Sequence, residues 1–209
     1  MPDRSRLKRI PDRASYEPAD VHAILDEAPI CHVGFQVGSQ PFVIPTIHAR
    51  MGNEVILHGA KASRLLKHAA TGAPLTIAVT LLDALVLARS VFHHSMNYRS
   101  AVIFGTGRLL EGDEKMEGMR AVSEHLLAGR WDDARGPSKK EFNATSVIAV
   151  SIDEATCKSR SGPPGDEEED YALPVWAGLL PLQQVWGPPE ADPGRHADVD
   201  LPDYLKDHA

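Results

Sequence analysis

The sequence predicts a mainly β fold with inserted helices, and a barrel rather than a doubly wound sheet. Six or seven short runs are rich in β-branched residues, and turn-forming pairs such as Gly38-Ser39 and Gly52-Asn53 separate several of them. Most of these runs follow one another directly along the chain, which is typical of antiparallel pairing. Few helices interrupt them, so the repeated long crossovers of a parallel sheet are missing.

The elements follow from local patterns. Pro18 near a first turn and Pro29 after the last turn bound the first helix. Helices are predicted at residues 17–28, 61–70 and 114–127. Strands are predicted at residues 30–37, 41–49, 54–58, 74–81, 84–92, 98–110 and 145–152, with a last one near 177–186. The rest is an extended basic lead-in at 1–16, irregular segments at 130–140 and 159–172, and a proline-rich tail at 187–209.

Composition and charge restrict the architecture and the function. No repeat or clear linker divides the sequence, so we expect one domain over residues 1–209. The formal net charge of −7 argues against a nucleic-acid partner, because phosphate backbones need a positive surface. Cys31 and Cys157 match no metal-binding spacing and need no disulfide. Without a signal-peptide pattern or an apolar membrane-spanning segment, a cytoplasmic protein is the simplest interpretation.

The first candidate site lies where the strand ending at His58 leads into the helix predicted at 61–70. The start of a helix presents free amide N–H groups, which attract anions. Lys61 and Arg64 are three residues apart and would share a helical face, with the hydroxyl of Ser63 beside them. This set of donors suits a phosphate monoester. An ordinary surface helix with basic side chains is the alternative.

A second candidate is the polar run from His93 to Ser100, which leads directly into a β-branched strand. Alternation along the strand places Arg99 on the face opposite to Ser100, where it can meet a ligand or a neighbouring subunit. His93 and His94 are adjacent and point to opposite faces, which disfavours a shared metal ion. A strand with a solvated polar start is the alternative.

A third candidate combines the basic segment around Lys158 with Trp176. A basic loop followed by a tryptophan can close over a flat aromatic ligand. A crossover loop with a core tryptophan explains the same pattern equally well. The sequence contains no nucleophile elbow, no dinucleotide-binding glycine motif and no P-loop.

Several blocks along the chain form a family pattern when they are taken together. They are residues 13–16 (RASY), 31–35 (CHVGF), 41–46 (PFVIPT), 58–59 (HG), 63–64 (SR), 93–105, 129–131 (GRW) and 170–178 (DYALPVWAG). In order and spacing these blocks resemble the pyridoxamine 5'-phosphate oxidase-like FMN-binding split-barrel superfamily. The resemblance covers nearly the whole chain and is strongest to the flavin-nucleotide-binding branch that includes nitroimidazole-resistance proteins.

The resemblance implies a six-stranded antiparallel split barrel that forms a homodimer and binds two FMN molecules in clefts between the subunits. Ser63 and Arg64 match the family's phosphate-binding pair, with Lys61 as a further contact. The resemblance implies further cofactor contacts. A strand that lines the isoalloxazine supplies Val43, Ile44, Pro45 and Thr46, and the start of a later strand supplies Asn97, Tyr98, Arg99 and Ser100. The remaining implied contacts are His58, Lys158 and Trp176.

Two departures from the family pattern bear on the activity. Ser100 stands where the authentic oxidases carry glutamine, and the C-terminal arginine-leucine-histidine-aspartate-arginine block that grips their vitamin substrate is missing. We therefore expect an FMN-dependent oxidoreductase acting on another small organic substrate, such as a nitroaromatic or quinone-like compound, with the flavin supplying the redox chemistry. The alternatives are a flavin-storing module without turnover, and a split barrel that uses haem or the deazaflavin F420.

Overall fold

Nine antiparallel strands form one sheet in the computed structural model, which describes residues 3–194 and 199–206. The strands are β1 (Ala14–Ser15), β2 (Ile30–Val37), β3 (Gln40–Met51), β4 (Glu54–Ala60), β5 (Pro74–Leu87), β6 (Ser95–Leu109), β7 (Thr145–Ser151), β8 (Ala155–Arg160) and β9 (Gly178–Pro181). The helices are α1 (Pro18–Glu27), α2 (Arg64–Ala69), α3 (Gly112–Leu126), α4 (Arg130–Asp133), α5 (Lys139–Ala144) and α6 (Asp203–Lys206).

Strand β6 closes the sheet into a ring. It pairs with β5 along one edge and with β7 and β8 along the other. The ring therefore runs β6-β7-β4-β3-β2-β5 and returns to β6, while β8 with β1 and β9 lie outside it. The prediction of a six-stranded antiparallel split barrel is confirmed.

The core follows from the alternation of apolar residues along the ring strands. Val33, Ile77 and Ile103 come from three neighbouring strands and are fully buried, and α1 adds Leu25. A second apolar cluster lies between α3 and the adjacent strands, where Val122 packs near Ile56 and Val147. Burying an aliphatic side chain of this size stabilises the fold by roughly 1.5–3 kcal/mol. These two clusters fix the strands and helices that carry the candidate site.

The predicted break between strands 74–81 and 84–92 is wrong. The two segments form the single strand β5, and a register shift between Leu82 and Ala84 leaves Asp83 as an extra residue. A charged residue inside an apolar run suggested a turn, but a β-bulge accommodates it without ending the strand. The sheet ends at Leu87, and residues 88–92 lead into a 3-10 turn at Val91–His93.

Other boundaries also differ from the prediction. The lead-in contributes β1, the irregular segment 130–140 contains α4 and the start of α5, and the last strand covers only Gly178–Pro181. Strand β8 was missed, because its polar second half reads as a loop. The helices predicted at 17–28 and 114–127 and the strand at 30–37 are confirmed within two residues. Part of the predicted tail lies outside the described residues.

Candidate functional site

The basic helix α2 packs its apolar side onto the barrel and exposes its cations. Leu65, Leu66 and Ala69 are buried against the core. Gly107 of β6 makes this approach possible: a Cβ at that position would stand 2.4 Å from the Ala69 carbonyl oxygen. Because α2 is this close to β6, the side chains on its outer face have a fixed position.

The outer face of α2 borders a groove of about 820 Å³. Apolar side chains from the ends of β2 and β3 form one part of it, and basic and polar side chains from α2 and the following turn form the other. The lining residues are Val37, Ile44, Ala62, Arg64, Lys67, His68 and Thr71. A volume of this size lies within the range of roughly 300–1,000 Å³ that is typical of small-molecule and cofactor sites.

The two cations of this groove have no acidic partner. Neither Arg64 nor Lys67 forms an ion pair with any carboxylate in the described part of the chain. Arg64 instead lies over the ring of Phe42, 4.4 Å from its centroid. His68 is held by the carbonyl oxygen of Pro74 at 3.0 Å from its Nε2 atom. The groove thus presents positive charge beside an apolar wall, which is the chemistry that an amphipathic anion requires.

One predicted pairing in this region is wrong. Lys61 and Arg64 were expected on one helical face, but α2 begins only at Arg64 and Ser63 has an extended backbone. The backbone N–H of Lys61 donates to the Ala144 carbonyl oxygen, and Lys61 lines a separate, smaller pocket and not the groove of Arg64. The residue three positions from Arg64 that does share its groove is Lys67, which the sequence analysis missed.

The outer face of the sheet brings together a second set of predicted residues. Register places Lys158 beside Ser100, and Pro45 beside His32. By strand alternation, Val43 shares this face with Pro45 and is largely exposed. Tyr98 lies two residues before Ser100 on the same face of β6. This face is open and partly apolar, since Val43 and Pro45 are both exposed, whereas Ile44 of the α2 groove lies on the opposite face of β3.

Arg99 and Asn97 lie on the other face of β6 and are occupied by intramolecular partners. The guanidinium group of Arg99 binds the carboxylates of Glu27 and Asp83, with 2.7 Å between its Nη2 and Asp83 Oδ1. These hydrogen bonds raise the pKa of Arg99 and lower that of Glu27. Arg99 lines a cavity of about 660 Å³ that is separate from the α2 groove.

The Asn97 side chain forms hydrogen bonds to Arg160 and to the loop after β8. Its Nδ2 donates to the Gly162 carbonyl oxygen at 3.1 Å, and its Oδ1 accepts a hydrogen bond from Arg160. The Ser100 hydroxyl donates to the Lys158 carbonyl oxygen at 3.1 Å, which ties β6 to β8. These side chains have structural roles within the subunit.

The remaining predicted residues, His58, Thr46 and Trp176, do not line the groove. His58 is half-buried, its Nδ1 is buried without a hydrogen-bond partner, and burial lowers its pKa. The Thr46 hydroxyl donates to the Ile47 carbonyl oxygen. Trp176 is exposed and lies against Gly178, where an added Cβ would come within 2.8 Å of the ring. The Trp176 ring therefore packs against the start of β9 and does not line the groove.

No group of three or more histidine, cysteine, aspartate or glutamate side chains is arranged to hold a metal ion within residues 3–194 and 199–206. None of the helices described is both long and apolar enough to cross a bilayer.

Similar proteins cover almost the whole chain. The flavocytochrome Anf3 from Azotobacter vinelandii has 40% identity and a TM-score of 0.92, and the match covers 100% of this chain and 97% of that one. The FAD and heme binding protein from Mycobacterium smegmatis has 33% identity and a TM-score of 0.90, with 94% and 97% covered. No curated protein matches the chain.

A more distant structure shares the fold. A candidate 5-nitroimidazole antibiotic resistance protein from Bacteroides thetaiotaomicron has 20% identity and a TM-score of 0.59, with 69% of this chain and 85% of that one covered. The family model of pyridoxamine 5'-phosphate oxidase matches residues 17–159, which include β2 to β7 and nearly all of β8. The sequence resemblance is thereby confirmed, and the chain belongs to the pyridoxamine 5'-phosphate oxidase family.

Proposed function

We propose that this protein binds a flavin nucleotide in the α2 groove and uses it as a redox cofactor. The observation that carries the proposal is the pair of cations, Arg64 and Lys67, which form no ion pair with a carboxylate of the described residues and which border an apolar wall at Ile44. A flavin nucleotide has the matching chemistry, since its phosphates are anionic and its ring system is flat and largely apolar. Arg64 and Lys67 would bind the phosphates, and the flavin would supply electron transfer.

We propose FAD as the flavin, in place of the FMN expected from the sequence. The support comes from the relative with 33% identity, which is named as an FAD and heme binding protein and matches over 94% of this chain. The test is to purify the protein, release the cofactor with acid and identify it by chromatography and mass. FAD is the expected product. Release of FMN would show that the cofactor is the one expected from the sequence. A colourless protein that takes up neither flavin would overturn the proposal of flavin binding.

We further propose that the protein binds haem, as the names of the two structures with 40% and 33% identity suggest. Most histidines among the described residues use a ring nitrogen in a hydrogen bond, a ring contact or an ion pair. His32 and His58 are the described histidines for which none of these contacts is found. His32 is the better candidate ligand of the iron, because it is exposed on the outer sheet face beside the small side chains of Pro45 and Ala78.

Haemin titration followed by absorption spectroscopy tests this assignment. The unmodified protein should develop a Soret band, and His32→Ala should lose or shift it. His22→Ala is the matched control, since His22 bonds to Asn53 at the surface and should bind haem normally. An unchanged Soret band in His32→Ala would exclude His32 as the iron ligand. The same titration of His58→Ala would then test whether His58 binds the iron.

A homodimer is the proposed assembly. Large apolar side chains are exposed on the outer sheet face and along the segment around β9, among them Val43, Leu180, Val185 and Trp186. Contiguous exposed apolar surface on a soluble protein marks an interaction site, and a stable dimer buries about 800 Å² on each partner. Light scattering should give about twice the chain mass of 22.8 kDa. Val43→Glu should shift the protein towards the monomer, and a monomeric unmodified protein would overturn the proposal.

We propose an oxidoreductase activity on a small organic substrate other than pyridoxamine 5'-phosphate. The support is an open groove with a flavin-type charge pattern in a chain that lacks the vitamin-gripping block of the authentic oxidases. Steady-state reduction of the bound flavin by NADH or NADPH, followed by transfer to nitroaromatic or quinone acceptors, is the direct test. Bound flavin that neither donor reduces would favour storage of the cofactor instead.

A further inference from the structure

A small pocket that shares no lining residue with the α2 groove has no role in the proposed flavin site. It lies where β4 ends and where β7 and α3 begin, and its volume is about 190 Å³. The lining residues are Lys61, Leu109, Leu110, Glu111, Gly112, Lys115, Phe142, Thr145 and Ser146. The volume is below the roughly 300 Å³ at which sites for drug-sized ligands begin, but it equals the volume of about six water molecules at ~30 Å³ each. The pocket can therefore hold a small ion or a single small group.

Lys115 is the most unusual residue of this pocket. It is only 6% exposed, although lysine is rarely buried unless it is paired with an acid. Its Nζ donates to the Phe142 carbonyl oxygen at 2.6 Å and lies 4.0 Å from the centroid of the Phe142 ring, and no carboxylate in the described residues forms an ion pair with it. Two of its three N–H donors are left without a strong acceptor.

The charges around Lys115 also favour an anion. Burial lowers the pKa of Lys115, the positive charge of Lys61 lowers it further, and the carboxylate of Glu111 acts in the opposite direction. The two ammonium groups repel each other, and the single carboxylate offsets only part of their charge. An anion between them would replace this repulsion with attraction.

Ser146 and the start of α3 supply neutral donors to the same space. Ser146 is 9% exposed, and its hydroxyl makes no hydrogen bond to the described residues, whereas the hydroxyl of neighbouring Thr145 is satisfied by the Glu141 carbonyl oxygen at 2.9 Å. Helix α3 has 15 residues, and Glu111 at its N-cap makes no side-chain capping hydrogen bond. The first amide groups of α3 thus have no side-chain cap, and Gly112 at the first position of the helix lines the pocket.

We propose that this pocket binds a small oxyanion, with Lys115, Lys61, the Ser146 hydroxyl and the start of α3 as its donors. The ligand class is a phosphate or carboxylate group, either as a free ion or as the end of a small metabolite. The site is separate from the α2 groove, and the proposal does not rest on flavin binding.

Calorimetric titration of the purified protein with inorganic phosphate and with acetate, in chloride buffer, tests the site and distinguishes the two anions. We expect saturable binding of at least one of them. Lys115→Met should abolish it, and Ser146→Ala should weaken it by up to roughly tenfold, as for the loss of one hydrogen bond. Lys139→Met removes one exposed positive charge outside the pocket and should leave the affinity unchanged.

The outcomes separate this pocket from other cationic sites. Absence of binding, or equal affinities for Ser146→Ala and the unmodified protein, would overturn the proposal. Loss of the signal in Arg64→Ala together with its retention in Ser146→Ala would assign the anion to the groove instead. Should Lys115→Met not fold, Ser146→Ala and Lys139→Met still decide the question, because neither removes a side-chain hydrogen bond or ion pair found among the described residues.

Discussion

Arg64 and Arg99 were both expected to contact the cofactor, but their surroundings differ. Arg64 stands on the first turn of α2, over the face of Phe42 and without an acidic partner in the described residues. Arg99 is held between two carboxylates, those of Glu27 and Asp83. A guanidinium group that two carboxylates already neutralise gains little from a further anion, whereas one over an aromatic ring keeps its donors free. The charge of a residue is therefore a weaker guide to a binding site than the absence of a compensating charge.

The largest expected effect is on the free energy of unfolding, and it comes from the close packing of α2 against Gly107 of β6, which positions Arg64. In Gly107→Ala the new Cβ would meet the Ala69 carbonyl oxygen at 2.4 Å and Ile148 Cγ2 at 2.8 Å. Backbone cannot move aside as a flexible side chain can, so we expect destabilisation of about 3 kcal/mol. Urea unfolding measures it. Gly136→Ala is the control, because nothing lies within 4 Å of its Cβ position; equal stability of the two variants would contradict the close packing.

The next effect concerns the two arginines directly. Arg64→Ala should weaken flavin binding by about 1.5–3 kcal/mol, which is roughly tenfold to a hundredfold, because a charged hydrogen-bond donor to a phosphate is lost. Arg64→Lys should recover part of this affinity. Arg99→Ala should change it by less than about twofold, since Arg99 lies in a different cavity. Flavin fluorescence titration gives all three affinities. A larger loss of affinity in Arg99→Ala than in Arg64→Ala would show that Arg99, and not Arg64, is the main contact of the flavin.

The comparison also shows what the sequence can and cannot predict. Alternation and turn residues placed most of the ring strands, and the Ser63-Arg64 pair pointed to the helix that borders the α2 groove. The partners of Arg99 come from residues 27 and 83, so their contact depends on tertiary packing that no local pattern encodes. Lys67 was missed although it is three residues from Arg64, because the helix was started three residues too early, at Lys61. An error of three residues in the predicted start of the helix therefore paired Lys61, and not Lys67, with Arg64.

Arg99→Ala should lower the free energy of unfolding by less than Gly107→Ala. Arg99→Ala removes the shared partner of two carboxylates that are each between one third and about one half exposed. Solvent screens such pairs, so we expect a loss of about 1 kcal/mol in the free energy of unfolding. Lys67→Ala is the control and should unfold like the unmodified protein, because the Lys67 side chain forms no ion pair, hydrogen bond or ring contact with the described residues. Thermal or urea unfolding of the three proteins provides the measurement, and equal stability would show that the Arg99 cluster contributes nothing.

The smallest expected effect is the pH dependence of that stability. The hydrogen bonds from Arg99 lower the pKa of Glu27 below its usual 4.5, so the folded state favours the ionised carboxylate. The resulting stabilisation is complete above the unfolded pKa and is lost as the pH falls through the lower folded pKa. The difference in unfolding free energy between the unmodified protein and Arg99→Ala should therefore shrink between about pH 6 and about pH 3. A difference that stays constant over this interval would show that Arg99 stabilises the fold through packing of its side chain and not through charge.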